Sequence, residues 1–416
     1  MASCFIQNFG CRVNQAEAFS WAEELERGGM RLENDPVLAD WVIVNTCTLT
    51  SRADRDVRKF IRRIPRINPG AKLVITGCSV EAGTLQHETR GPDVILLSNV
   101  DKKELPGQIL SRTGSRDRGS VARTPFRARA LLKVQDGCDR RCAFCVIPSV
   151  RGPSRSLERT EVLARAHGLT ARGFREIVLC GIHLSSYGYD LDPPDSLAGL
   201  LRGLLELEGV GKIRLSSLDP RRLDEELIRL LTESGGICPH FHLSLQHGSD
   251  RVLKRMGRGS SSAGYRRILE RLREGSPAAA LGADIIVGFP GEEEKDFDEL
   301  CDFLAGSPLD YLHVFSYSPR PGTPAAGWPQ VGEWEKRRRS SVLRTFSAER
   351  RRAFRERFLG RELEAIVVKR KESEGELLTS NYIGVRVPLC SVRPGGEVQV
   401  RITRVEEEWA EGEEAA

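Results

Sequence analysis

The sequence lacks any long apolar run. No stretch approaches the roughly 18 apolar residues that a membrane helix needs. The first residues, MASCFIQNFG, do not show the basic region and apolar run of a secretory signal. We therefore expect a cytoplasmic protein without membrane association.

The sequence also lacks a strong excess of charge of either sign. Its 63 Lys and Arg residues are nearly balanced by 58 Asp and Glu residues, giving a net charge of +5. Overall charge thus gives no sign of nucleic-acid binding, and local basic patches become the informative feature. One such patch is a predicted helix at residues 333–357, which is rich in arginine. We predict that Arg350, Arg351 and Arg355 on this helix bind RNA phosphates, although a solvated helix face is the alternative.

A chain of 416 residues exceeds one ordinary domain. Short β-rich runs alternate with amphipathic stretches through two regions, which predicts parallel sheets. The predicted fold class is α/β, with an N-terminal parallel α/β domain, a central partial TIM-like (βα)6 barrel and a small C-terminal antiparallel β-barrel. The predicted boundaries are 1–112 for the N-terminal domain, 113–127 for a linker, 128–332 for the central barrel, 333–357 for the basic helix, 358–405 for the C-terminal barrel and 406–416 for a disordered acidic tail.

Eleven cysteines are many for a protein of the reducing cytosol, where disulfides are rare. Metal ligation or catalysis is the better explanation for at least some of them. Five of them lie in apolar or ordinary surroundings, and we predict that these are packing residues. They are Cys4, Cys180, Cys238, Cys301 and Cys390.

The sharpest motif is GCDRRCAFC, which contains Cys138, Cys142 and Cys145 directly after the first predicted barrel strand. Three thiolates in a tight loop can bind three irons of a cubane cluster and leave the fourth iron open. Zinc is the alternative, but structural zinc sites have four ligands and this loop offers no fourth Cys or His.

A second set of cysteines is spread over the first domain. Cys11, Cys47 and Cys78 each follow a predicted strand and precede a predicted helix. Because parallel strands end at one edge of their sheet, we expect these cysteines to meet in space. They then form a second three-cysteine site for a cluster, with three unrelated buried cysteines as the alternative.

The CxxxCxxC loop, with Phe144 before its last cysteine, resembles that of radical S-adenosylmethionine (SAM) enzymes. The chain also closely resembles the methylthiotransferase family. The resemblance lies in the segments around all six cysteines and in RGPSRS, LSLQHGSDRVLKRMGRG, DIIVGFPGEEEKDF and FSYSPRPGTPAA. This resemblance implies two [4Fe–4S] clusters and SAM. It implies that one SAM methylates a sulfur held on the auxiliary cluster and a second SAM supplies a radical. It also implies an electron donor such as flavodoxin or ferredoxin, and a set of SAM-contacting residues. Those residues are Phe144, Gly181, Ser244, Gln246, Asp284 and Gly288.

Within that family, GCRVNQAEA and NTCTLTSRADR look most like the branch acting on N6-threonylcarbamoyladenosine of tRNA, at the position 3′ of the anticodon. The resemblance implies transfer of a methylthio group to carbon 2 of that base. Isopentenyladenosine and a ribosomal-protein aspartate remain alternative substrates within the family. A non-catalytic iron–sulfur RNA-binding protein is the distant alternative. Four polar residues beside Cys11 and Cys47 suit the polar base, with surface positions as the alternative: Arg12, Asn14, Gln15 and Arg52.

Three further features have less specific interpretations. Arg151 and Arg155, just after the cluster loop, are either partners for a carboxylate or phosphate or members of a solvated turn. His183, His240, His242 and His247 are not expected to ligate metal, because cysteines already complete the iron sites. The C-terminal barrel resembles the RNA-binding TRAM domain, which implies that tRNA contacts one of its faces.

Overall fold

A computed structural model describes residues 1–85, 93–114, 128–388 and 390–415. The linker predicted at 113–127 lies outside these residues except for Thr113 and Gly114. Within the described ranges, no helix is both long and apolar enough to cross a membrane.

The N-terminal domain is a five-stranded, fully parallel sheet with strand order β2-β1-β3-β4-β5. Its strands are β1 (Ser3–Asn8), β2 (Arg31–Leu32), β3 (Trp41–Thr46), β4 (Lys72–Gly77) and β5 (Val94–Leu97). Its helices are α1 (Arg12–Arg27), α2 (Ser51–Ile67), α3 (Cys78–Glu81) and α4 (Leu105–Thr113). The predicted parallel domain is confirmed, and its adjacent strands β1, β3 and β4 end at one edge.

Helix α1 joins the first domain to the second because it is apolar on two faces. Trp21 and Leu25 pack into the core of the N-terminal sheet. Val13 and Phe19 instead belong to the core of the central barrel, where the Phe19 ring lies edge-on to Phe174 at 5.6 Å. The two domains therefore share one apolar interface through α1. Burial of such large side chains stabilises it by about 1.5–3 kcal/mol each.

The central region has six parallel strands that follow one another around an open arc, as predicted. The strands are β6 (Ala130–Asp136), β8 (Glu176–Gly181), β9 (Lys212–Leu215), β10 (His240–Gln246), β11 (Ala280–Val287) and β12 (Tyr311–Ser316), with a short antiparallel β7 (Arg155–Ser156) beside β6. Single bridges join the β9 side to the β10 side. Among the described strands β6 and β12 are not paired, so the barrel is partial.

Helices connect these strands, and several of them pack on the outward face of the arc. They are α5 (Ile147–Arg151), α6 (Arg159–Thr170), α7 (Leu197–Leu205), α8 (Glu225–Glu233), α9 (Asp250–Arg255), α10 (Ser262–Gly275) and α11 (Glu294–Ala305). The predicted basic helix is α12 (Glu333–Glu356). It runs along the free edge of β12, where the Ser347 hydroxyl bonds both the N–H and the carbonyl of Leu312.

The C-terminal domain is a closed five-stranded barrel with order β13-β14-β15-β17-β16. Its strands are β13 (Glu362–Arg370), β14 (Glu374–Thr379), β15 (Gly384–Pro388), β16 (Glu397–Val405) and β17 (Ala410–Glu414). Two expectations need correction. The acidic segment was predicted to be disordered, but it contains β17, which pairs with both β15 and β16. The barrel is also not wholly antiparallel, because β15 and β17 run parallel.

The acidic composition of this last strand concealed it. Its glutamates face outward, while Ala410 and Gly412 face the barrel core, and Gly412 fits closely against Arg401 and Val385. A strand that closes a small barrel needs small inward residues rather than large apolar ones. Composition alone therefore predicted disorder where pairing partners were available.

Candidate active site and metal centres

The three cysteines predicted in the barrel lie in one loop after β6: Cys138, Cys142 and Cys145. The Cys138 N–H donates to the Gly152 carbonyl at 3.1 Å, and the Ala143 N–H donates to the Met256 carbonyl at 3.0 Å. These bonds fix the loop to two other segments at the carboxyl ends of the strands. The loop therefore presents its thiols at the end of the barrel where such folds carry their chemistry.

The other three cysteines come from three separate strand ends. Cys11 precedes α1, Cys47 follows β3 and Cys78 begins α3 directly after β4. Gly10 allows the close approach, because a Cβ on its left-handed backbone (φ +101°) would lie 2.6 Å from the Cys47 sulfur. The sheet order thus places on one edge residues that are 36 and 31 positions apart in sequence.

The chemistry of the two cysteine sets fits clusters better than single ions. In the described part of the chain, neither set has all its sulfurs within 4.8 Å of one another. Four thiolates around one zinc would stand about 3.8 Å apart, given Zn–S bonds of about 2.3 Å. At least one pair of sulfurs in each set therefore stands farther apart than thiolates on one zinc ion.

Burial and mutual repulsion oppose ionisation of these thiols without a cation. Burial raises the pKa of Cys47 to about 12, and the Cys11 and Cys78 thiolates add to the rise. Burial likewise raises the pKa of Cys145 to about 12, with Cys142 and Cys138 adding to it. Metal ions would supply the positive charge that such thiolates need.

The two cysteine sets adjoin each other across the domain interface. Cys78 lies in one apolar cluster with Ile147 and Val150, against which Cys138 and Cys145 also pack. This cluster spans α3 of the N-terminal domain and α5 of the barrel. The five cysteines predicted to be packing residues lie elsewhere, and all are buried except Cys301, which is half-buried.

Arg151 is the polar link between the two sites. It is 3% exposed, and its guanidinium bonds Glu17 at 3.0 Å, Asp136 at 2.8 Å and Asn14 at 2.6 Å. Burial by itself lowers the pKa of Arg151, but Glu17, Cys78 and Asp136 together hold it well above its usual value. Of the two alternatives for Arg151, the structure supports carboxylate pairing and excludes a solvated turn. The Arg155 guanidinium instead donates a hydrogen bond to the Arg151 carbonyl at 2.9 Å.

The ion network around Arg151 contains more cations than anions. Lys133 and Lys102 contact the same Glu17 carboxylate at 2.9 and 2.7 Å. Three cations therefore face the two carboxylates of Glu17 and Asp136, and the Nε of Arg151 is buried without a hydrogen-bond partner among the described residues. A group of net negative charge beside Cys78 would balance this excess.

The residues implied as SAM contacts divide into strand-end positions and deeper ones. Gly181 ends β8 and lies against Gln135. Gln246 ends β10 with a left-handed backbone (φ +77°), a conformation that is costly for a residue with a side chain and typical of functional sites. Ser244 accepts a hydrogen bond at its carbonyl from Arg258. Phe144 packs edge-on to Phe289 at 6.3 Å.

The other two implied contacts have structural partners of their own. Gly288 follows β11, and the aliphatic stem of Lys336 from α12 packs against its backbone. Asp284 lies inside β11 rather than at its end, and its carboxylate contacts His242 at 3.0 Å and His313 at 3.5 Å.

Sequence reasoning missed a charged cluster beside the barrel cysteines. Asp219, which follows β9, contacts His183 at 3.1 Å and Arg258 at 3.6 Å. Arg258 also approaches the Cys142 sulfur at 4.0 Å, and its Nε is buried without a hydrogen-bond partner in the described residues. The motif LSLQHGSDRVLKRMGRG included Arg258, but only the fold showed which way it points.

The four polar residues expected around the base have different environments. Asn14 is fully buried, and its amide nitrogen bonds the Phe9 and Thr46 carbonyls. Arg52 is 85% exposed and its nearest partner is Asp56 at 3.9 Å. Arg12 instead reaches the hydroxyl of Tyr382 in the C-terminal domain at 3.0 Å, and it also bonds Gln15. Asn14 therefore bonds within the N-terminal domain, and Arg12 contacts the C-terminal barrel.

The arginines expected to bind RNA also differ. Arg355 is 4% exposed and donates to the carbonyls of Glu406, Glu407 and Glu408. The prediction that it contacts RNA is wrong, because its buried guanidinium bonds these carbonyls and so joins α12 to the C-terminal barrel. Arg351 is exposed beside the Tyr311 ring, and Arg350 bonds the Ala305 carbonyl.

Family comparisons agree with this geometry. Residues 132–304 match the model of the Radical SAM superfamily, and residues 3–97 match a family described as Uncharacterized protein family UPF0004. The chain is 35% identical over 397 residues to the threonylcarbamoyladenosine tRNA methylthiotransferase MtaB of Aquifex aeolicus, covering 92% of this chain and 95% of that one. The chain belongs to the radical SAM methylthiotransferase family. Radical SAM enzymes use a [4Fe–4S] cluster and SAM.

This family includes members that act on different targets. The chain is also 36% identical over 379 residues to the ribosomal protein uS12 methylthiotransferase RimO of Moorella thermoacetica, covering 87% of each chain. Its fold resembles that of the radical SAM methyltransferase TsrM from Kitasatospora setae, with a TM-score of 0.54, 15% identity, and coverage of 78% of this chain and 77% of that one. That likeness supports the α/β fold and says nothing of the substrate.

Proposed function

We propose that this methylthiotransferase converts N6-threonylcarbamoyladenosine, next to the anticodon of tRNA, to its 2-methylthio derivative. The reaction is supported by the contact between the two cysteine sets, which share one apolar cluster across the domain interface, and the substrate by the 35% identity to the threonylcarbamoyladenosine tRNA methylthiotransferase of Aquifex aeolicus. An enzyme that makes a carbon radical and then attaches sulfur to it needs both sources close to one substrate atom.

The barrel loop of Cys138, Cys142 and Cys145 would hold the [4Fe–4S] cluster that binds SAM. The set of Cys11, Cys47 and Cys78 would hold the auxiliary cluster. When bound, the two clusters and SAM would supply the radical and the donated sulfur.

This chain's own residues would orient the reactants and keep water away. The Nε of Arg258 is buried without a hydrogen-bond partner among the described residues, and a terminal nitrogen of the same guanidinium approaches the Cys142 sulfur. This arginine suits the carboxylate of SAM. Gly181, Ser244 and Gln246 would line the SAM site with backbone edges at the ends of β8 and β10. The surplus positive charge around Arg151 would balance a cluster bound to three thiolates, which is anionic overall.

We propose tRNA as the macromolecular partner and a flavodoxin- or ferredoxin-like protein as the electron donor. Arg351 on α12 lies over the Tyr311 ring of β12, and Arg350 on the same helix bonds the Ala305 carbonyl at the end of α11. Phosphate contacts there would orient the anticodon loop toward the inside of the barrel.

The test is a reaction of the anaerobically reconstituted, reduced enzyme with tRNA bearing threonylcarbamoyladenosine, isopentenyladenosine or unmodified adenosine, and with ribosomal protein uS12. We expect 5′-deoxyadenosine, and a 2-methylthio nucleoside only from the threonylcarbamoyl tRNA, as measured by mass spectrometry. Product from the isopentenyl tRNA or uS12 alone would refute the substrate assignment and keep the reaction class. Absence of 5′-deoxyadenosine would refute both.

A further inference from the structure

The inside of the open barrel carries an unexpected polar layer on its last three strands. Alternate residues of these strands, such as Leu243, Ala283 and Ile285, face outward into the core shared with α10 and α11. The opposite set must therefore face inward, because successive side chains of a strand point to opposite sides. The inward residues include His240, His242, Asp284, Tyr311, His313 and Phe315.

Three of these side chains form one cluster in the middle of the strands. Asp284 and His313 are paired in register across β11 and β12. The Asp284 carboxylate lies 3.0 Å from His242 Nε2 and 3.5 Å from His313 Nδ1. We call His242, Asp284 and His313 the polar triad.

Tyr311 holds the polar triad from below. Its hydroxyl contacts His242 Nδ1 at 3.0 Å and His240 Nε2 at 2.7 Å. The Tyr311 ring lies across Gly282, where any Cβ would fall about 2.0 Å from the ring. The position of His242 is therefore set by a dedicated partner, as in sites that must present a ring nitrogen at a fixed place.

The polar triad is incompletely satisfied by the protein itself. His242 is buried, yet its Nε2 makes no well-directed hydrogen bond in the described structure despite its contact with Asp284. The His313 side chain is 50% exposed although it points into the barrel. Unpaired buried polar atoms are costly, so a ligand that offers both donors and acceptors would stabilise this layer.

Phe315 adds an aromatic surface to the same face. It is 42% exposed, and it lies two residues beyond His313 toward the carboxyl end of β12. Strands advance about 3.3 Å per residue, so Phe315 stands roughly 6–7 Å closer to the cysteine loops. An aromatic ring that is exposed on this inward face can serve as a platform for a nucleobase.

The layer also adjoins the auxiliary cysteines. Arg12, next to Cys11, donates to the Tyr382 hydroxyl, and the Tyr382 ring stacks on His240 at 3.9 Å. Residues beside the proposed sulfur donor thus touch the lower edge of the polar layer. With its ring on Phe315, toward the carboxyl ends of the strands where the cysteine loops lie, a base would direct its N6 substituent down the strands toward the triad.

We propose that Phe315 stacks the target adenine and that the polar triad recognises its N6 substituent, an inference that rests on the proposed function. The threonylcarbamoyl group has one N–H and one hydroxyl as donors for Asp284, and a carboxylate and carbonyl that accept from the two histidines. An isopentenyl group has neither, and it would leave the triad desolvated and unpaired. A site built to bond polar groups rejects an analogue lacking them by large factors.

The test uses His313→Leu, His242→Leu and the milder His313→Gln in the reconstituted holoenzyme, with His167→Leu on the outer helix α6 as the matched control. Methylthio product from threonylcarbamoyl and isopentenyl tRNAs is divided by each enzyme's own 5′-deoxyadenosine yield without RNA. Metal content and the affinity for each tRNA are measured alongside. We expect the leucine variants to lose on the order of tenfold to hundredfold in threonylcarbamoyl product, with His313→Gln intermediate and His167→Leu like the parent.

A separate variant tests the stacking of the adenine on Phe315. Phe315→Leu should weaken binding of the two modified tRNAs alike, by about tenfold, while Trp334→Leu, an exposed aromatic on α12, should not. Leucine variants of His242 and His313 that keep the parent's preference for threonylcarbamoyl tRNA would overturn the inference. So would the loss in these variants of one equivalent of a non-cluster divalent metal, which would make the triad a metal site. A parent enzyme that makes no product from any tRNA would instead refute the proposed function.

Discussion

The two cysteine sets reach similar arrangements by different routes. Cys138, Cys142 and Cys145 lie within eight residues of one loop, whose backbone is fixed by bonds to neighbouring segments. Cys11, Cys47 and Cys78 are brought together only by the order of β1, β3 and β4 in the sheet. The first site is local and needs little of the fold to form, whereas the second is lost if the sheet register or the position of α1 changes.

The largest expected effect comes from removing the local site. Changing Cys138, Cys142 and Cys145 to Ala should reduce bound iron from about eight to about four atoms per chain and abolish 5′-deoxyadenosine formation. Iron analysis and chromatography of the reaction measure both. Iron that stays near the parent value would mean that these cysteines do not hold a cluster.

Removing the assembled site should separate the two activities. With Cys11, Cys47 and Cys78 changed to Ala, we expect SAM cleavage to persist and methylthio product to disappear, because only the sulfur source is lost. Mass spectrometry of the nucleosides and a 5′-deoxyadenosine assay test this. If SAM cleavage also fails while the barrel cluster is spectroscopically intact, the two sites do not divide the work as proposed.

The link between the sites provides a third test. Arg151→Met removes the buried bonds to Glu17, Asp136 and Asn14 but leaves Lys102 and Lys133 to pair with the two carboxylates. The loss should therefore lie below the cost of about 3–5 kcal/mol for a buried charge left without any partner. Thermal unfolding of the apoprotein should show this loss. Arg165→Met is the control, since the exposed Arg165–Glu161 pair is worth only about 0.3–0.5 kcal/mol.

The same variant sharpens the comparison through the auxiliary cluster. Loss of a positive charge beside Cys78 disfavours the reduced cluster, which is more negative than the oxidised one. The reduction potential of the auxiliary cluster should therefore become more negative. An EPR-monitored titration in a background lacking the barrel cysteines isolates that cluster. A variant with the parent's unfolding midpoint and potential would show that Arg151 does not couple the sites.

The smallest expected effect concerns RNA contact on α12. Arg350→Glu with Arg351→Glu should weaken binding across tRNA species and reduce the salt dependence by about one unit of log–log slope per lost phosphate contact. Filter binding at several salt concentrations measures this, with Arg165→Glu as the control. Equal slopes in variant and parent would place the RNA surface elsewhere. Arg355→Glu is unsuitable, because it would break the bonds between α12 and the turn that joins β16 to β17.

Most of the architecture could be predicted because it depends on local patterns. The parallel strands and the arginine-rich helix follow from alternation and helical spacing in the sequence, and both are present. The strand β17 could not be predicted, since its glutamates suit solvent and its Ala410 and Gly412 suit a core only when a barrel surrounds them. Arg355 was misassigned for the same reason, because its carbonyl partners lie about 50 residues further along the chain.

The sequence by itself determined the family of this protein, the radical SAM methylthiotransferases, and the placement of six cysteines in segments that follow strands. Tertiary structure decided which side chains accompany them. The buried Arg151 network, the partners of Asp284 and the inward face of β12 depend on contacts between residues far apart in the chain. Such contacts are set by packing and by the cost of burying charge without a partner, which no local pattern records.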